Sequence, residues 1–333
     1  MSTEFKALLV VQPEKKVFTR SIVTRSLDDL AEGELVVKVH YSSLNFKDAL
    51  SAVGNPGVTR NFPHTPGIDA AGVVVSCSEG SFQPGDEVIV TSYDLGMETD
   101  GGFGQMIRVP SQWALKLPKG LSLKESMMLG TAGLTAALSV QELVENGVTP
   151  EKGSVLVTGA TGGVGSLAVA ILANIGFKVT AVTGKLEETA YLEGLGADSV
   201  ISRETLLTGN ERPMLKPTWA GVVDCVGGEM LAAAIKSTQY DGAVTCCGLV
   251  GSIDLNVSVF PFILRGVRLI GIDSAECPMD RRTKVWQNLA REWKLDKLAG
   301  MVDEITLDEL EEKIQSMLKG GLKRRALVNL LDS

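Results

Sequence analysis

A glycine-rich stretch near the middle of the chain constrains the fold more than any other part of the sequence. Residues 154–166 read Ser-Val-Leu-Val-Thr-Gly-Ala-Thr-Gly-Gly-Val-Gly-Ser. The apolar run Val155–Val157 is typical of a buried parallel strand. Residues 167–173 form a good helical segment that Gly176 ends, and residues 179–182 are a second apolar strand. A strand, a glycine turn, a helix and a strand within about 30 residues predict one βαβ unit.

The glycines of this turn allow a ligand to approach the backbone closely. Gly159, Gly162 and Gly165 recur at intervals of three. A Cβ in the turn would hold a diphosphate away from the N–H groups at the helix start, where the helix dipole favours negative charge. The spacing differs from the common Gly-x-Gly-x-x-Gly, so a glycine turn without a ligand is the alternative. The strand before the turn and the helix after it favour a dinucleotide.

The end of the second strand indicates which dinucleotide would bind. NAD sites usually carry Asp or Glu there, bonded to the ribose hydroxyls. Here the strand ends in Thr183, Gly184 and Lys185, and Arg203 follows the next short apolar pair. A hydroxyl and two cations suit a 2′-phosphate and favour NADPH over NADH. The alternative is that Lys185 and Arg203 are ordinary solvated residues.

The composition is that of a soluble two-domain enzyme. The chain has 333 residues, of which 44% are hydrophobic and 22% are charged. Its net charge of −8 disfavours nucleic acid as a partner. The N-terminus lacks an apolar signal core, and no apolar run approaches the roughly 20 residues of a membrane span. We therefore expect no membrane association.

The cysteines and histidines point to a reducing compartment and to the absence of a metal site. The five cysteines are scattered and odd in number, which is typical of reduced thiols in a cytoplasmic protein rather than of a disulfide framework. The two histidines, His40 and His64, do not form a zinc-ligand pattern with the cysteines. We expect a cytoplasmic protein without a metal.

The character of the chain changes near residue 124. Before this point, short predicted strands alternate with Gly/Pro turns, which is typical of a compact barrel-like domain: 35–41, 70–75, 87–91 and 105–109. After it, a helix within residues 124–144 leads into the βαβ unit. Further parallel strands are predicted at 221–225, 243–247 and 267–272. The second part therefore reads as a doubly wound sheet.

The C-terminal part continues this alternation. Helices are predicted around residues 230–236, 284–295 and 307–318. The last apolar run, residues 325–330, predicts a strand that returns to complete an earlier sheet. Residues 267–272 would be the last strand of the doubly wound sheet, and an unprotected edge of this kind invites pairing with a second copy.

A polar stretch directly after the first long predicted strand is the candidate for catalysis. Tyr41 could donate a proton to a developing enolate. Asn45 could bond a nicotinamide amide or a substrate carbonyl, and Asp48 could orient either group or the lysine before it. The alternative is a helix start that a serine caps, with Lys47 and Asp48 solvated.

Several motifs together resemble the medium-chain dehydrogenase/reductase superfamily. They are Asn-Phe-Lys-Asp at 45–48, Pro-Gly-Ile-Asp-Ala-Ala-Gly at 66–72, Gly-Asp-Glu-Val at 85–88, Gly-Thr-Ala-Gly with Thr-Ala at 130–136, and the glycine turn. The chain looks most like the zinc-free, quinone-oxidoreductase-like branch. Within that branch, residues 93–96, 261–267 and 271–274 resemble the acrylyl-CoA reductase group.

The resemblance implies an α/β fold with two domains. A GroES-like β-barrel domain would comprise residues 1–125 with a C-terminal return at 276–333, and a Rossmann domain with a doubly wound parallel sheet would comprise residues 126–275. The cofactor would lie in the cleft between them. Zinc alcohol dehydrogenases of the superfamily carry Gly-His-Glu where this chain has Gly67, Ile68 and Asp69, which agrees with the absence of a metal.

The resemblance also implies the cofactor contacts. They would be Tyr41, Gly159, Thr161, Gly162, Gly163, Val164, Thr183, Gly184, Lys185, Arg203, Gly248, Leu249, Ile272 and Ser274. Relatives often close with a basic-Gly-Arg motif, whereas this chain has Lys323, Arg324 and Arg325. The local turn therefore departs from the family pattern.

The implied activity is hydride transfer from NADPH to the β-carbon of a small activated alkene, with acrylyl-CoA as the substrate by family. The low aromatic content, 5%, provides few rings to stack on the two faces of a quinone. Quinone reduction is therefore the second interpretation. A third, from another class, is an NADPH-binding structural or RNA-binding protein. In relatives the edge strand pairs across a two-fold axis, so a homodimer is expected.

Overall fold

The computed structural model of the chain describes residues 4–333, and these divide into two compact units. The first contains the N-terminal part through Thr131, Ala275–Ala290 and Leu298–Ser333. The second contains Ala132–Ser274 and Arg291–Lys297.

The elements follow one another in a regular order. The strands are β1 (Glu4–Glu14), β2 (Val17–Ser26), β3 (Leu35–Ser43), β4 (Asp69–Cys77), β5 (Glu87–Thr91), β6 (Met106–Val109), β7 (Ala114–Lys116), β8 (Val155–Val157), β9 (Val179–Thr183), β10 (Ser199–Ser202), β11 (Trp219–Asp224), β12 (Thr238–Cys246), β13 (Arg268–Gly271), β14 (Val302–Ile305) and β15 (Arg325–Asn329). The helices are α1 (Phe46–Ala52), α2 (Leu123–Glu145), α3 (Gly163–Asn174), α4 (Thr189–Gly194), α5 (Arg203–Leu207), α6 (Gly228–Lys236), α7 (Phe260–Arg265), α8 (Met279–Ala290) and α9 (Leu310–Leu318).

In the described part of the first unit, a seven-stranded sheet is the central element. Its order is β14-β15-β3-β4-β5-β7, and β6 pairs with β3. As the sequence predicted, the last strand returns to the earlier sheet: β15 pairs antiparallel with β3, with Asn329 opposite Tyr41. Alternate residues of these strands, such as Val37, Val39 and Val74, form the buried core of the unit.

An antiparallel hairpin of β1 and β2 precedes this sheet. The sequence pattern did not predict this hairpin. The reason lies in the pattern of β2, where three polar residues, 19–21, separate Phe18 from Ile22 and interrupt the apolar/polar alternation that indicates a strand. β1 is the buried partner of the pair, with Phe5, Ala7 and Val10 in the core.

Within residues 4–333, the second unit holds a parallel sheet of six strands in the order β10-β9-β8-β11-β12-β13. This is the predicted doubly wound sheet, with β13 at its edge as expected. The strand order reverses between β8 and β11, so the topological switch point lies there. In open α/β sheets, ligands bind outside the carboxyl ends of the strands at this point.

Helix α2 breaks at Gly130, whose backbone angles (φ 53°, ψ −156°) are not helical. A Cβ at Gly130 would overlap the side chains of Asp69 and Ser43, so the residue must be glycine for steric reasons as well. In the part of the chain that the structure describes, α2 is the one helix long and apolar enough to cross a membrane, and 83% of its most apolar window is buried in the protein, as in a core helix.

The observed ends of helix α8 differ from the predicted ones, because side-chain packing determines where this helix begins and ends. The helix predicted at 284–295 is α8, which begins five residues earlier at Met279 and ends at Ala290. Val285, Trp286 and Leu289 of α8 are buried, so packing of this face determines where the helix lies.

Candidate active site

The glycine turn of the second unit has the geometry of an anion cradle. Gly159 adopts a left-handed conformation (φ 60°), and the N–H of Gly162 donates to its carbonyl at 2.9 Å. A Cβ on Gly165 would overlap that same carbonyl, so only glycine allows the helix to start so close to the strand. Helix α3 begins at Gly163, and within the described residues no side chain caps its first N–H groups. These groups fit a diphosphate.

The predicted residues for the 2′-phosphate come together at the ends of β9 and β10. Ser202 lies opposite Thr183 in the register of the two strands, which places Arg203 beside Gly184. The Thr183 hydroxyl accepts a hydrogen bond from the Lys185 backbone N–H at 2.9 Å and lies 3.4 Å from the Thr161 hydroxyl. The end of β9 therefore carries one hydroxyl and two cationic side chains.

The remaining predicted contacts of the second unit also follow strand ends. Gly248 lies against Cys225, and a Cβ on it would overlap the Cys225 carbonyl. Leu249 is 66% exposed. The N–H of Ile272 donates to the Cys246 carbonyl at 2.9 Å, and the Ser274 hydroxyl accepts from Thr135 at 2.7 Å. Together with Gly163 and Val164 at the start of α3, these residues lie at the carboxyl edge of one sheet.

Asp224, which the sequence pattern did not single out, stabilises this edge of the sheet through hydrogen bonds. Its buried carboxylate accepts hydrogen bonds from the Thr158 hydroxyl at 2.6 Å and the Gly227 N–H at 2.8 Å. Burial raises its pKa. Because Thr158 directly precedes Gly159, Asp224 holds the strand from which the glycine turn departs. The sequence feature that could have identified Asp224 is its position at the end of the apolar run of β11.

In the first unit, Asn45 and Asp48 meet at the start of α1. Asn45 is the N-cap residue, and its backbone N–H donates to the Asp48 carboxylate at 2.7 Å. The Ile68 N–H donates to the other carboxylate oxygen at 2.8 Å. The interpretation of Asp48 as a solvated residue is wrong, since its side chain is buried, whereas Lys47 is exposed. Burial, followed by repulsion from Asp69, raises the pKa of Asp48 to about 7.

Asp69, for which the sequence indicated no role, is the centre of this network. Its carboxylate accepts hydrogen bonds from the Ser43 hydroxyl at 2.5 Å, the Asn45 amide at 2.7 Å and the Thr131 hydroxyl at 2.6 Å. The Thr131 N–H adds a fourth donor. Arg325 is buried nearby and donates to the Ser43 hydroxyl at 3.1 Å. Arg325 of the basic triplet thus supports this network from inside the protein.

The orientation of Asn45 limits what it can offer a substrate. Its amide nitrogen donates to the Ser43 carbonyl at 3.2 Å and to Asp69 at 2.7 Å, which uses both N–H bonds. Asn45 can therefore present only its amide oxygen, an acceptor, to a further group. This geometry suits a nicotinamide amide N–H rather than a substrate carbonyl, the two partners that the sequence left open.

Tyr41 lies on β3, but the structure does not join it to this network. It is half-buried opposite Asn329, and among the described residues no hydrogen bond links it to Asn45 or Asp48. Tyr41 interacts electrostatically with Lys124, whose pKa is raised chiefly by its hydrogen bond to Glu304.

Ser92 and Tyr93 form a strained turn beside Asp69. Both adopt left-handed conformations (φ 60° and 50°), which is rare for residues other than glycine. The Ser92 hydroxyl lies 2.9 Å from that of Thr131, so it is connected to Asp69. The Tyr93 ring stacks on Trp113 at 5.8 Å and lies 4.3 Å from the Arg282 guanidinium. Strain of this kind concentrates at functional sites.

The residues at the position of a family zinc ligand do not fit a metal. Ile68 is apolar and buried, and Asp69 already accepts four hydrogen bonds. Throughout residues 4–333, no group of three or more His, Cys, Asp or Glu side chains is placed to hold a metal ion. The described residues of the two units therefore do not offer the donor set that zinc requires.

Two protein families match the chain. Residues 31–119 match the alcohol dehydrogenase GroES-like domain, and residues 163–291 match the zinc-binding dehydrogenase family. The first match falls in the sheet of the first unit, and the second begins at the first residue of α3.

Individual relatives match over nearly the whole chain. A Bacillus subtilis protein named as a quinone oxidoreductase, YhfP, is 47% identical over 99% of this chain and 100% of its own. Its crystal structure with NAD bound superposes with a TM-score of 0.96. Acrylyl-CoA reductase AcuI of Ruegeria pomeroyi is 42% identical over 98% of this chain and 99% of its own. The yhdH oxidoreductase of Salmonella enterica, crystallised with NADP, is 39% identical, with a TM-score of 0.94 over 97% and 99% of the two chains.

Proposed function

The chain belongs to the medium-chain dehydrogenase/reductase family of oxidoreductases, and from that membership we propose that it reduces the C=C bond of a small activated alkene, acrylyl-CoA, with NADPH. The observation that carries this proposal is the full-length similarity to acrylyl-CoA reductase AcuI, at 42% identity, combined with a site that suits NADPH.

NADPH supplies a hydride when it is bound. The glycine turn would hold its diphosphate on the N–H groups of Gly163 and Val164, at the positive end of the α3 dipole. Thr183, Lys185 and Arg203 would bind the 2′-phosphate. Gly248, Leu249, Ile272 and Ser274 are proposed to contact the nicotinamide half, because they follow the strands β12 and β13 beyond the switch point.

In the first unit, the proposed roles divide between a proton donor and a positioning network. Tyr41, which is half-buried, is proposed to donate a proton through its hydroxyl. Asn45 is proposed to orient the nicotinamide amide through its oxygen. Asp48 holds the start of α1 through two backbone N–H groups, which keeps Asn45 in place.

Quinone reduction is the alternative, and two observations favour it. The relative named as a quinone oxidoreductase shares 47% identity, slightly more than acrylyl-CoA reductase AcuI. The stacked Tyr93 and Trp113 also provide two flat rings in the first unit. An NADPH-binding structural or RNA-binding role is disfavoured by the net charge of −8.

A substrate panel tests these alternatives. The purified chain is mixed with NADPH and either acrylyl-CoA or p-benzoquinone, and the loss of NADPH absorbance is followed, with NADH as the cofactor control. Fast turnover of acrylyl-CoA that prefers NADPH supports the proposal. Turnover of the quinone alone shifts the assignment to a quinone reductase. Tight NADPH binding without turnover of either compound contradicts both substrates.

We further propose that the chain forms a homodimer through the edge of the second unit. β13 is an edge strand, and its Leu269 is 36% exposed. Several apolar side chains near it in sequence are more exposed still: Val259 at 61%, Ile263 at 71% and Leu264 at 60%. Burying an apolar edge of this kind against a second copy removes both the unpaired backbone and the exposed side chains from water. A cytoplasmic location is proposed from the five reduced cysteines.

A further inference from the structure

Two thiols meet at the carboxyl ends of β11 and β12, next to the switch point of the second unit. Cys225 follows β11 and Cys247 follows β12, and their sulfur atoms are 3.9 Å apart. The register of these strands pairs Asp224 with Cys246, and the Cys247 N–H continues the ladder by donating to the Asp224 carbonyl at 3.0 Å. Cys225 and Cys247 are therefore direct neighbours on adjacent strands. Such neighbours lie roughly 5 Å apart, within the Cα separation of a disulfide.

From this geometry we propose that Cys225 and Cys247 form a reversible disulfide, and that the bond lowers the affinity of the second unit for NADPH. The first part concerns the two thiols alone. The second part rests on the proposed cofactor site.

The thiol pair is in contact with residues proposed to bind the cofactor. A Cβ built on Gly159 of the glycine turn would be 3.5 Å from the Cys225 Cβ, so the turn packs on this cysteine. On the other side, Gly248 is so close to the Cys225 carbonyl that no Cβ would fit between them. A disulfide shortens the sulfur–sulfur separation from 3.9 Å to about 2 Å. Closing this gap rotates both cysteine side chains and draws the two strand ends together. The close contacts of Gly159 and Gly248 with Cys225 transmit this shift to the glycine turn and to the residues after β12.

The reaction balances with a peroxide as the oxidant. The Cys247 thiolate attacks one peroxide oxygen, the O–O bond breaks, and a sulfenic acid and hydroxide form. The Cys225 sulfur then attacks the sulfenic sulfur, the S–S bond forms, and water leaves. The two thiols lose two electrons and two protons, and hydrogen peroxide becomes two molecules of water. We assign the first attack to Cys247 because the pKa of Cys225 is raised, first by the hydrogen bond with Cys247 and then by burial.

A third cysteine provides the matched control. Cys246 is adjacent to Cys247 on the strand, so its side chain points to the opposite face of the sheet, where it packs on the apolar core of the second unit. Cys246→Ser removes a thiol from the same strand without removing the pair.

The test uses the full-length protein, reduced and then exposed to hydrogen peroxide. Mass spectrometry of the digested protein scores a Cys225–Cys247 cross-link, and calorimetry measures NADPH affinity before oxidation, after it and after renewed reduction. We expect the cross-link, a loss of NADPH affinity of roughly tenfold or more, and recovery on reduction. By reciprocity, saturating NADPH shifts the equilibrium between dithiol and disulfide toward the dithiol.

The variants separate the possible outcomes. Cys246→Ser keeps the response of the parent protein, whereas Cys247→Ser keeps its NADPH affinity in peroxide. Absence of the cross-link, or a cross-link that leaves NADPH affinity unchanged, overturns the proposal. An equal loss of affinity in Cys247→Ser also overturns it. If the reduced protein fails to bind NADPH while the cross-link forms, the proposed cofactor is wrong and the thiol pair stands.

Discussion

The guanidinium of Arg203 lies against Gly184: a Cβ built on Gly184 would come within 2.8 Å of the guanidinium carbon. The contact arises from sheet register, because Ser202 of β10 is opposite Thr183 of β9. It places a second cation at the strand end that already carries Lys185. In Rossmann sheets this position contacts the ribose that distinguishes NADPH from NADH.

We therefore expect Lys185→Ala and Arg203→Ala each to weaken NADPH binding more than NADH binding. Loss of one charge-assisted hydrogen bond costs about 1.5–3 kcal/mol, or roughly a ten- to hundredfold change in the dissociation constant. Calorimetric titration with both cofactors measures it. Lys178→Ala is the control, because Lys178 is exposed and precedes β9 at the opposite end of the strand. Equal weakening of both cofactors would refute the 2′-phosphate assignment.

Asn45→Ala should lower turnover more than cofactor affinity. The substitution removes two hydrogen bonds, to the Ser43 carbonyl and to Asp69, and deprives α1 of its N-cap residue. Loss of the cap alone costs about 1 kcal/mol of stability, so the variant should remain folded. Steady-state kinetics and NADPH titration give the two quantities. Lys47→Ala, on an exposed side chain of the same helix, is the control. Unchanged turnover in Asn45→Ala would remove this residue from the site.

Asp48 should make the stability of the protein depend on pH. Its pKa is raised from 3.8 to about 7 in the folded chain, so the folded state binds this proton more tightly than the unfolded state does. The stabilisation is complete below the unfolded pKa and is lost as the pH rises through about 7. At 1.4 kcal/mol per pKa unit, the loss is on the order of a few kcal/mol.

Asp48→Asn tests this dependence. The amide does not titrate, so stability of the parent protein should fall relative to that of the variant between pH 4 and pH 7. Thermal midpoints measured across this range report the difference. Parallel curves for the two proteins would show that folding leaves the pKa of Asp48 near its ordinary value of 3.8.

Ile263→Asp should convert the proposed dimer to a monomer. The side chain is 71% exposed in the single chain, so an aspartate costs little there unless a second copy covers it. Light scattering at micromolar concentration measures the mass. Val75→Asp, at a 45% exposed apolar residue of the first unit, is the control and should leave the mass unchanged. A parent protein of monomer mass would contradict the dimer itself.

The local sequence pattern was enough to predict most strands of the parallel sheet in the second unit. Apolar runs bounded by glycine predicted β8, β9 and their neighbours, because a buried parallel strand is encoded within its own few residues. The glycine turn and the residues after β9 were likewise predicted from local sequence, as parts of a cofactor site. The β1–β2 hairpin was missed because three polar residues between Phe18 and Ile22 interrupt the apolar alternation of β2.

The sequence alone could not predict which side chains meet across neighbouring strands. Asn45 and Asp69 are 24 residues apart, and Cys225 and Cys247 are 22 apart, so no local pattern shows that they touch. Their contact depends on which strands are neighbours and in what register. That choice minimises the free energy of the whole folded chain, since burying one face of each strand selects its partner. Sequence therefore identified the cofactor class and the strand ends, and tertiary structure decided which side chains share them.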